Sequence, residues 1–540
     1  LRLTRVLYSV SALSLVAATL TATGAVASVP STPPAAAALA VRPASVSLTS
    51  FYKQKLVWTK CPGNPTVKCT WVKVPIDYAK PSFGTIRLRV ALRPASVKKG
   101  ILGDLFTNPG GPGASGLDVA YGATDYLPGA VTAHYNVVGI DPRGVGLSAP
   151  IRCLTRAQLD TFNGFGTVGT GPNQPLSGLP NTTQERATYD AQVTAFGKAC
   201  KAKNPKMYDH VGTLSAARDM NIIRIVLGQK KLTYYGWSYG TYLGAWYAQL
   251  FPKNVARFVL DGPVNPALDE QSSAFDQMKA FELELHRFLN DCAKHSNCPT
   301  KLRGTADANF NEFLALSNGL AVKPLITNAS KQAFGNQALT QNLFLTGVLG
   351  MLYDDDFGWR LLRSALNDLT VHNDPIAMLE LAYYEVNKDP YTGAYGDNLV
   401  EAFTSIWCGD FQAPMSVSDL SNEILATWSH DYPAFGPSFA WEQQACALWP
   451  FHTKVLPRAL HATGSKPILV VGAKYDPATP YSGAVALAKQ LQHGRLLTWN
   501  GDGHTSYNRG SSCIDAAITN YLLKGTLPAA GKVCAAVKRP

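Results

Sequence analysis

A chain of 540 residues with 46% hydrophobic and 16% charged residues holds enough apolar side chain to bury a large core, which excludes a disordered or fibrous protein. The formal charge of +12 comes without a dense Lys/Arg cluster interleaved with aromatics and without zinc-finger or helix-turn-helix spacing, so nucleic acid is not an expected partner. The charge reads as a soluble basic surface, with attraction to acidic cell-wall polymers as the alternative.

At the start of the chain, Arg2 and Arg5 precede an apolar run from Val6 to Leu20 that ends in Ala25-Val26-Ala27. Small residues at the two positions a signal peptidase reads predict an export signal over residues 1–27, removed after Ala27. The run is shorter than the ~20 residues a bilayer core requires, so no stable membrane insertion is expected after cleavage, and the protein is expected to be secreted, free or cell-wall associated. Residues 28–50, rich in Ala, Pro, Val and Ser, read as a propeptide or flexible leader. Ten cysteines in an exported chain favour disulfides over free thiols, and no CxxC pair with matching His partners suggests zinc. Pairing neighbours along the chain is the simplest arrangement: Cys61 with Cys69, Cys153 with Cys200, Cys292 with Cys298, Cys408 with Cys446, and Cys513 with Cys534. Spacing alone leaves the connectivity open.

From about Cys69, strand and helix signals alternate. Thr70 to Ile76 and Thr85 to Leu92 alternate apolar and polar residues, as strands with one solvated face do. Ile101 to Thr107 and Tyr135 to Ile140 are more apolar runs ended by Gly, Pro and Asp. Lys231 to Gly236 is a further strand, Tyr239 to Phe251 has helical length and stops at Pro252, and Val255 to Leu260 is the next strand. Between about Asn265 and Ala459 the strand signals fade, while Gln277 to Asn290 and Trp359 to Asn367 space their apolar residues as helices do. Strands return at Pro467 to Gly472 and Arg495 to Trp499, and Ile514 to Leu523 reads as a closing helix. This order predicts an α/β fold with a mostly parallel sheet and helices on both faces. Its core is expected over residues 51–264 and 460–540, with a large helical lid inserted at 265–459.

Gly236-Trp237-Ser238-Tyr239-Gly240 sets a GxSxG motif between a strand and a helix, the context of a nucleophile elbow, where the turn is too tight for side chains at the flanking positions. Ser238 is the expected nucleophile, and the helix that begins after it turns the Tyr239 N–H towards the reacting centre. A second oxyanion donor is expected from the loop after an early strand, where Asn108-Pro109-Gly110-Gly111-Pro112-Gly113 lets bare backbone approach a substrate; Gly111 is the candidate. A hydroxyl near neutral pH needs a base, and the base needs an acid to fix its tautomer. In the chain order nucleophile, acid, histidine, Asp476 follows the strand at Ile468 and His504 follows the strand at Leu496. Asp261 is the rival acid, and Asp502 reads as a turn residue. Asp141 to Ser148 reads as a loop that supports the site. No metal-ligand cluster, phosphate loop or dinucleotide fingerprint is evident, so neither metal nor cofactor is expected.

The joint occurrence of Asn108 to Gly113, Asp141 to Pro150, Gly236 to Gly244, Asp476 to Pro480 and Gly501 to His504 resembles the secreted tripeptidyl aminopeptidases of actinomycetes, an α/β-hydrolase family with proline iminopeptidases as wider relatives. The resemblance runs from about Cys61 to Cys534 with a poorly matched middle. It implies a serine exopeptidase that takes peptide or protein N-termini and releases short peptides, tripeptides in the type family, without a cofactor; the chain is expected to act as a monomer. A substrate ammonium then needs a lid carboxylate. Asp410, in Trp407-Cys408-Gly409-Asp410, matches a Cys-x-Asp pattern of the family, and Glu442 is a second candidate; Trp407 stands where some relatives carry an acid. The same machinery could serve a carboxylesterase or a proline iminopeptidase-like hydrolase, because fold and triad do not define the leaving group. A binding protein that kept the fold and lost activity is the alternative from another class.

Overall fold

The computed structural model describes residues 48–539 except 170, 172, 180–181, 412–423 and 453–455. The expected export signal and most of the expected leader therefore lie outside the described residues. The first described element is a helical turn, Thr49–Tyr52, whose Phe51 is buried.

Ten strands make one sheet: β1 (Thr59–Cys61), β2 (Asn64–Pro75), β3 (Thr85–Arg93), β4 (Asp104–Asn108), β5 (Asn136–Ile140), β6 (Leu232–Trp237), β7 (Val255–Asp261), β8 (Ile468–Tyr475), β9 (Gly494–Asp502) and β10 (Val533–Cys534). Their spatial order is β1-β2-β3-β5-β4-β6-β7-β8-β9-β10. The pairs β1/β2, β2/β3 and β3/β5 are antiparallel, and all later pairs are parallel. The chain steps back from β4 to β5 and then crosses to β6, so the order reverses beside β4. In open α/β sheets that reversal leaves a crevice at the carboxyl ends of the strands.

The central strands are buried on both faces, and alternate residues serve opposite cores. Phe106, Val138, Tyr234, Phe258 and Val470 join one apolar layer, under α2 (Thr213–Val226), α3 (Tyr239–Leu250) and α9 (Tyr481–Gln490). Leu105, Val137, Tyr235, Val259 and Val471 join the other, with α10 (Ser512–Lys524) against it. Between β7 and β8 the described elements are helices, among them α4 (Glu270–Cys292), α5 (Gln341–Leu352), α6 (Phe357–Val371), α7 (Leu399–Asp410) and α8 (Gly436–Ala447). Of these, α4, α5, α6 and α8 pack a third core around Met278, Phe281, Phe288, Phe344 and Phe439, while α7 sends Ala402 and Ile406 into the first layer. The hydrophobic spacing that predicts helices at Gln277 to Asn290 and Trp359 to Asn367 falls inside α4 and α6.

A second segment joins these helices. α1 (Thr183–Lys203), after β5, opens on a capping box between Thr182 and Glu185 and packs Tyr189 and Val193 against Trp441 of α8. The cysteines pair as neighbours, Cys61–Cys69, Cys153–Cys200, Cys292–Cys298, Cys408–Cys446 and Cys513–Cys534. Such bonds fit an oxidising compartment. Among the described residues no helix is long and apolar enough to cross a membrane.

Candidate active site

Ser238 stands between β6 and α3 with φ 55° and ψ −131°, a backbone conformation that a non-glycine residue holds only when its surroundings enforce it. Two close approaches enforce it here. A Cβ on Gly236 would lie 2.4 Å from the Gly240 carbonyl oxygen, and a Cβ on Gly240 would lie 2.4 Å from the Asn108 carbonyl oxygen. The GxSxG glycines are thus the places where the turn touches itself and the β4 loop. The Ser238 N–H donates to the Asp261 carbonyl at 3.0 Å, and the Thr241 hydroxyl donates to the Ser238 carbonyl at 2.5 Å. Tyr239 opens α3, so its N–H has no carbonyl four residues earlier within the helix. The β4 loop passes alongside: Gly110 and Gly111 take φ 107° and 97°, and Gly111, Ser238 and Tyr239 line one cavity.

Asp476 and His504 meet 28 residues apart, at the carboxyl ends of β8 and β9. His504 Nδ1 lies 2.9 and 3.0 Å from the two Asp476 carboxylate oxygens, and both side chains are fully buried. The carboxylate also accepts from the Ala478 N–H (3.0 Å), the Thr479 N–H (2.8 Å), the Thr479 hydroxyl (3.1 Å) and the Thr505 N–H (3.1 Å). With Nδ1–H donating to the acid, Nε2 is the basic nitrogen, and it is buried without a hydrogen-bond partner. The helical insertion reaches this histidine: the His504 N–H donates to the Tyr353 carbonyl at 2.8 Å, and the two rings meet edge-on at 5.3 Å.

The rival acids are engaged elsewhere. Asp261 accepts from the Tyr235 hydroxyl at 2.8 Å and from the Ser506 and Tyr507 N–H groups, and burial pushes its carboxyl up to about 6. It braces the loop after His504. Asp502 pairs with Arg287. Asp141 accepts from the Ser115 hydroxyl and the Leu147 N–H, and the buried Arg143 binds Asp219, so that loop holds the strands around the site.

The cavity beside Ser238 encloses about 1060 Å³ including its open mouth. Phe281, Leu349, Tyr353, Phe403, Trp407 and Phe439 supply apolar walls, and among the described residues its carboxylates are Glu270, Asp276 and Glu442 and no Lys, Arg or His lines it. Of the two expected amine-binding residues, Glu442 lines the cavity and Asp410 does not. Asp410 accepts the Thr213 N–H at 2.8 Å, at the start of α2, and burial pushes it up to about 6. Glu270 carries no sequence motif. Its Oε2 accepts from the Trp407 indole at 2.9 Å and its Oε1 from the Gln443 amide at 3.3 Å, and burial, opposed by these two bonds, pushes it up to about 7. The tryptophan that stands in place of an acid in some relatives thus holds an acid brought by another helix.

A serine forced to positive φ between a parallel strand and a helix, at the switch point of a doubly covered sheet, defines a serine hydrolase of the α/β-hydrolase fold. The family model described as alpha/beta hydrolase fold matches residues 105–303, and that described as TAP-like protein matches residues 432–534. Serine protease Hip1 of Mycobacterium tuberculosis is 34% identical over 496 residues, covering 89% of this chain and 91% of that protein. A tripeptidyl aminopeptidase of Streptomyces lividans is 31% identical over 520 residues, covering 92% and 90%. A protein named carboxylesterase B, also of M. tuberculosis, is 33% identical over 483 residues, covering 87% and 86%. The chain belongs to the TAP-like family of α/β-hydrolases.

Proposed function

We propose that this protein is a secreted serine exopeptidase that releases short peptides, tripeptides in the first instance, from free N-termini. One observation carries the reading: among the described residues, the cavity that holds Ser238 has three carboxylates and no cationic side chain, although the whole chain is basic. Such a chamber favours a ligand end that bears an ammonium and disfavours a free carboxylate. Glu270 and Glu442 are the ammonium partners in this reading, and Asp410 positions the cavity wall through the Thr213 amide.

The chemistry follows from the triad Ser238, His504 and Asp476. Ser238 Oγ attacks the scissile carbonyl as His504 Nε2 takes its proton, and Asp476 holds the imidazole and stabilises its charged form. The Tyr239 and Gly111 N–H groups receive the developing oxyanion. His504 then protonates the leaving amine, and water, activated by the same nitrogen, hydrolyses the acyl-enzyme. The five disulfides and the similarity to a named tripeptidyl aminopeptidase support export and peptide release.

The test compares unblocked tripeptide, N-acetylated tripeptide, single-residue proline and short-chain ester chromogenic substrates on wild type and Ser238→Ala. The expected result is rapid cleavage of the unblocked tripeptide by wild type alone. Equal cleavage of the acetylated peptide would overturn the ammonium requirement, and ester turnover without peptide turnover would make the protein a carboxylesterase.

A further inference from the structure

The positive charge of this protein is concentrated in one part of the chain. Residues 28–103 carry twelve Lys and Arg against a single acid, Asp77, a net +11 of the whole chain's +12. Outside that span the charges nearly cancel. Six of the twelve cations lie on β1, β2 and β3, which form one end of the sheet.

On β2 and β3, the register puts Lys73 directly opposite Arg87 and Trp71 opposite Arg89. Both guanidinium groups lie over the Trp71 ring, at 5.0 and 4.9 Å from its centroid, and Trp71 is 37% exposed. Like charges directly opposite one another destabilise a strand pair. Nothing in the fold offsets them: among the described residues no carboxylate pairs with Lys73, Arg87 or Arg89. Arg89 is only 8% exposed, and its Nε is buried without a hydrogen-bond partner. A second like pair, Lys60 opposite Lys68 on β1 and β2, points to the other face of the sheet and does not belong to this row. The leader cannot neutralise this surface, because residues 28–47 contain no carboxylate.

We propose that this end of the sheet is a docking surface for an extracellular phosphodiester polymer. Guanidinium forks receive phosphate oxygens two at a time and stay charged at any pH the enzyme meets. Arg87 and Arg89 stand about 6.7 Å apart along one strand, two residues at 3.3 to 3.4 Å each. A rigid row of cations at that spacing suits a linear polymer with repeating charges better than a fluid lipid surface. Strands β5 and β4 separate β3 from β6, which leads to Ser238, so docking leaves the hydrolase cavity open. The surface would hold the enzyme on an anionic matrix while it works.

The test measures binding of the full chain to a polyglycerol-phosphate polymer in 50 mM and 200 mM salt, beside polyglutamate and phosphatidylglycerol vesicles. With about three charges engaged, affinity for the phosphate polymer should fall roughly 20-fold over that salt range. Lys73→Glu with Arg87→Glu should weaken binding at least tenfold at low salt and leave tripeptide hydrolysis and thermal unfolding unchanged. Absence of binding at 50 mM salt, indifference to the double substitution, or tighter binding to the vesicles or to polyglutamate would each overturn the proposal. None of these outcomes touches the exopeptidase reading, which has its own substrate test.

Discussion

Asp476→Asn is the substitution that tests the proposed role of Asp476 as the catalytic acid. Asparagine preserves the volume and can still accept the Ala478 and Thr479 N–H groups through its carbonyl oxygen. Its amide nitrogen then takes the place of the oxygen that accepts from Thr505 N–H and the Thr479 hydroxyl and that lies 3.0 Å from His504 Nδ1. A donor facing Nδ1 drives the imidazole proton to Nε2, and that tautomer cannot accept a proton from Ser238. The expected fall in kcat is about 10⁴-fold, or about 5.4 kcal/mol of barrier, with KM nearly unchanged. Asp261→Asn is the control. It disturbs the bonds to Tyr235, Ser506 and Tyr507, none of which reaches the imidazole, so it should cost about 1–3 kcal/mol of stability and less than tenfold in kcat. The assay is steady-state hydrolysis of an unblocked tripeptide arylamide, normalised by active-site titration, with thermal unfolding of each variant. Equal losses in kcat from the two variants would refute the assignment.

Three further outcomes are expected. Burial pushes Glu270 up to about 7, so the ionised form that binds an ammonium is lost as pH falls through that value. KM for a free-amine peptide should then rise from pH 8 to pH 6 while that for a neutral ester stays flat, and Glu270→Gln should give a high KM with no such dependence. Gly240→Ala drives a Cβ to 2.4 Å from the Asn108 carbonyl oxygen, backbone that cannot step aside, and should yield insoluble or sharply destabilised protein on expression and thermal unfolding. Replacing Cys153 and Cys200 together by Ala opens a loop with a sequence separation of 47 and should cost about 4 kcal/mol in a denaturant titration.

What could be read from the sequence was local in the chain. The elbow is five consecutive residues whose strand and helix lie immediately on either side, so the strand-turn-helix placement of Ser238 in the sheet is legible. The Cys153–Cys200 and Cys408–Cys446 bonds followed from neighbour order, as did the three shorter ones. Glu270 was not legible. Its partners Trp407 and Gln443 lie 137 and 173 residues away, and only the packing of α4 against α7 and α8 brings them together. Asp410 carries the family pattern, while its side chain turns to the Thr213 amide and does not line the cavity. The charge at the sheet end was hidden for a related reason, since no short window holds a dense basic run and the cations converge only once β2 and β3 pair.

The contact between Tyr353 and His504 changes what the insertion is. Its carbonyl and its ring hold the histidine, and two residues further on Asp355 pairs with Arg509 and Arg539 of the C-terminal region. The helices over the cleft are therefore not an accessory that can be exchanged while the engine below keeps running. A chimera that borrows a relative's insertion to change its diet inherits that relative's grip on the histidine as well. Natural drift in substrate choice is under the same constraint, free to rework the walls at Phe281 or Phe439 but tethered at the short segment from Tyr353 to Asp355.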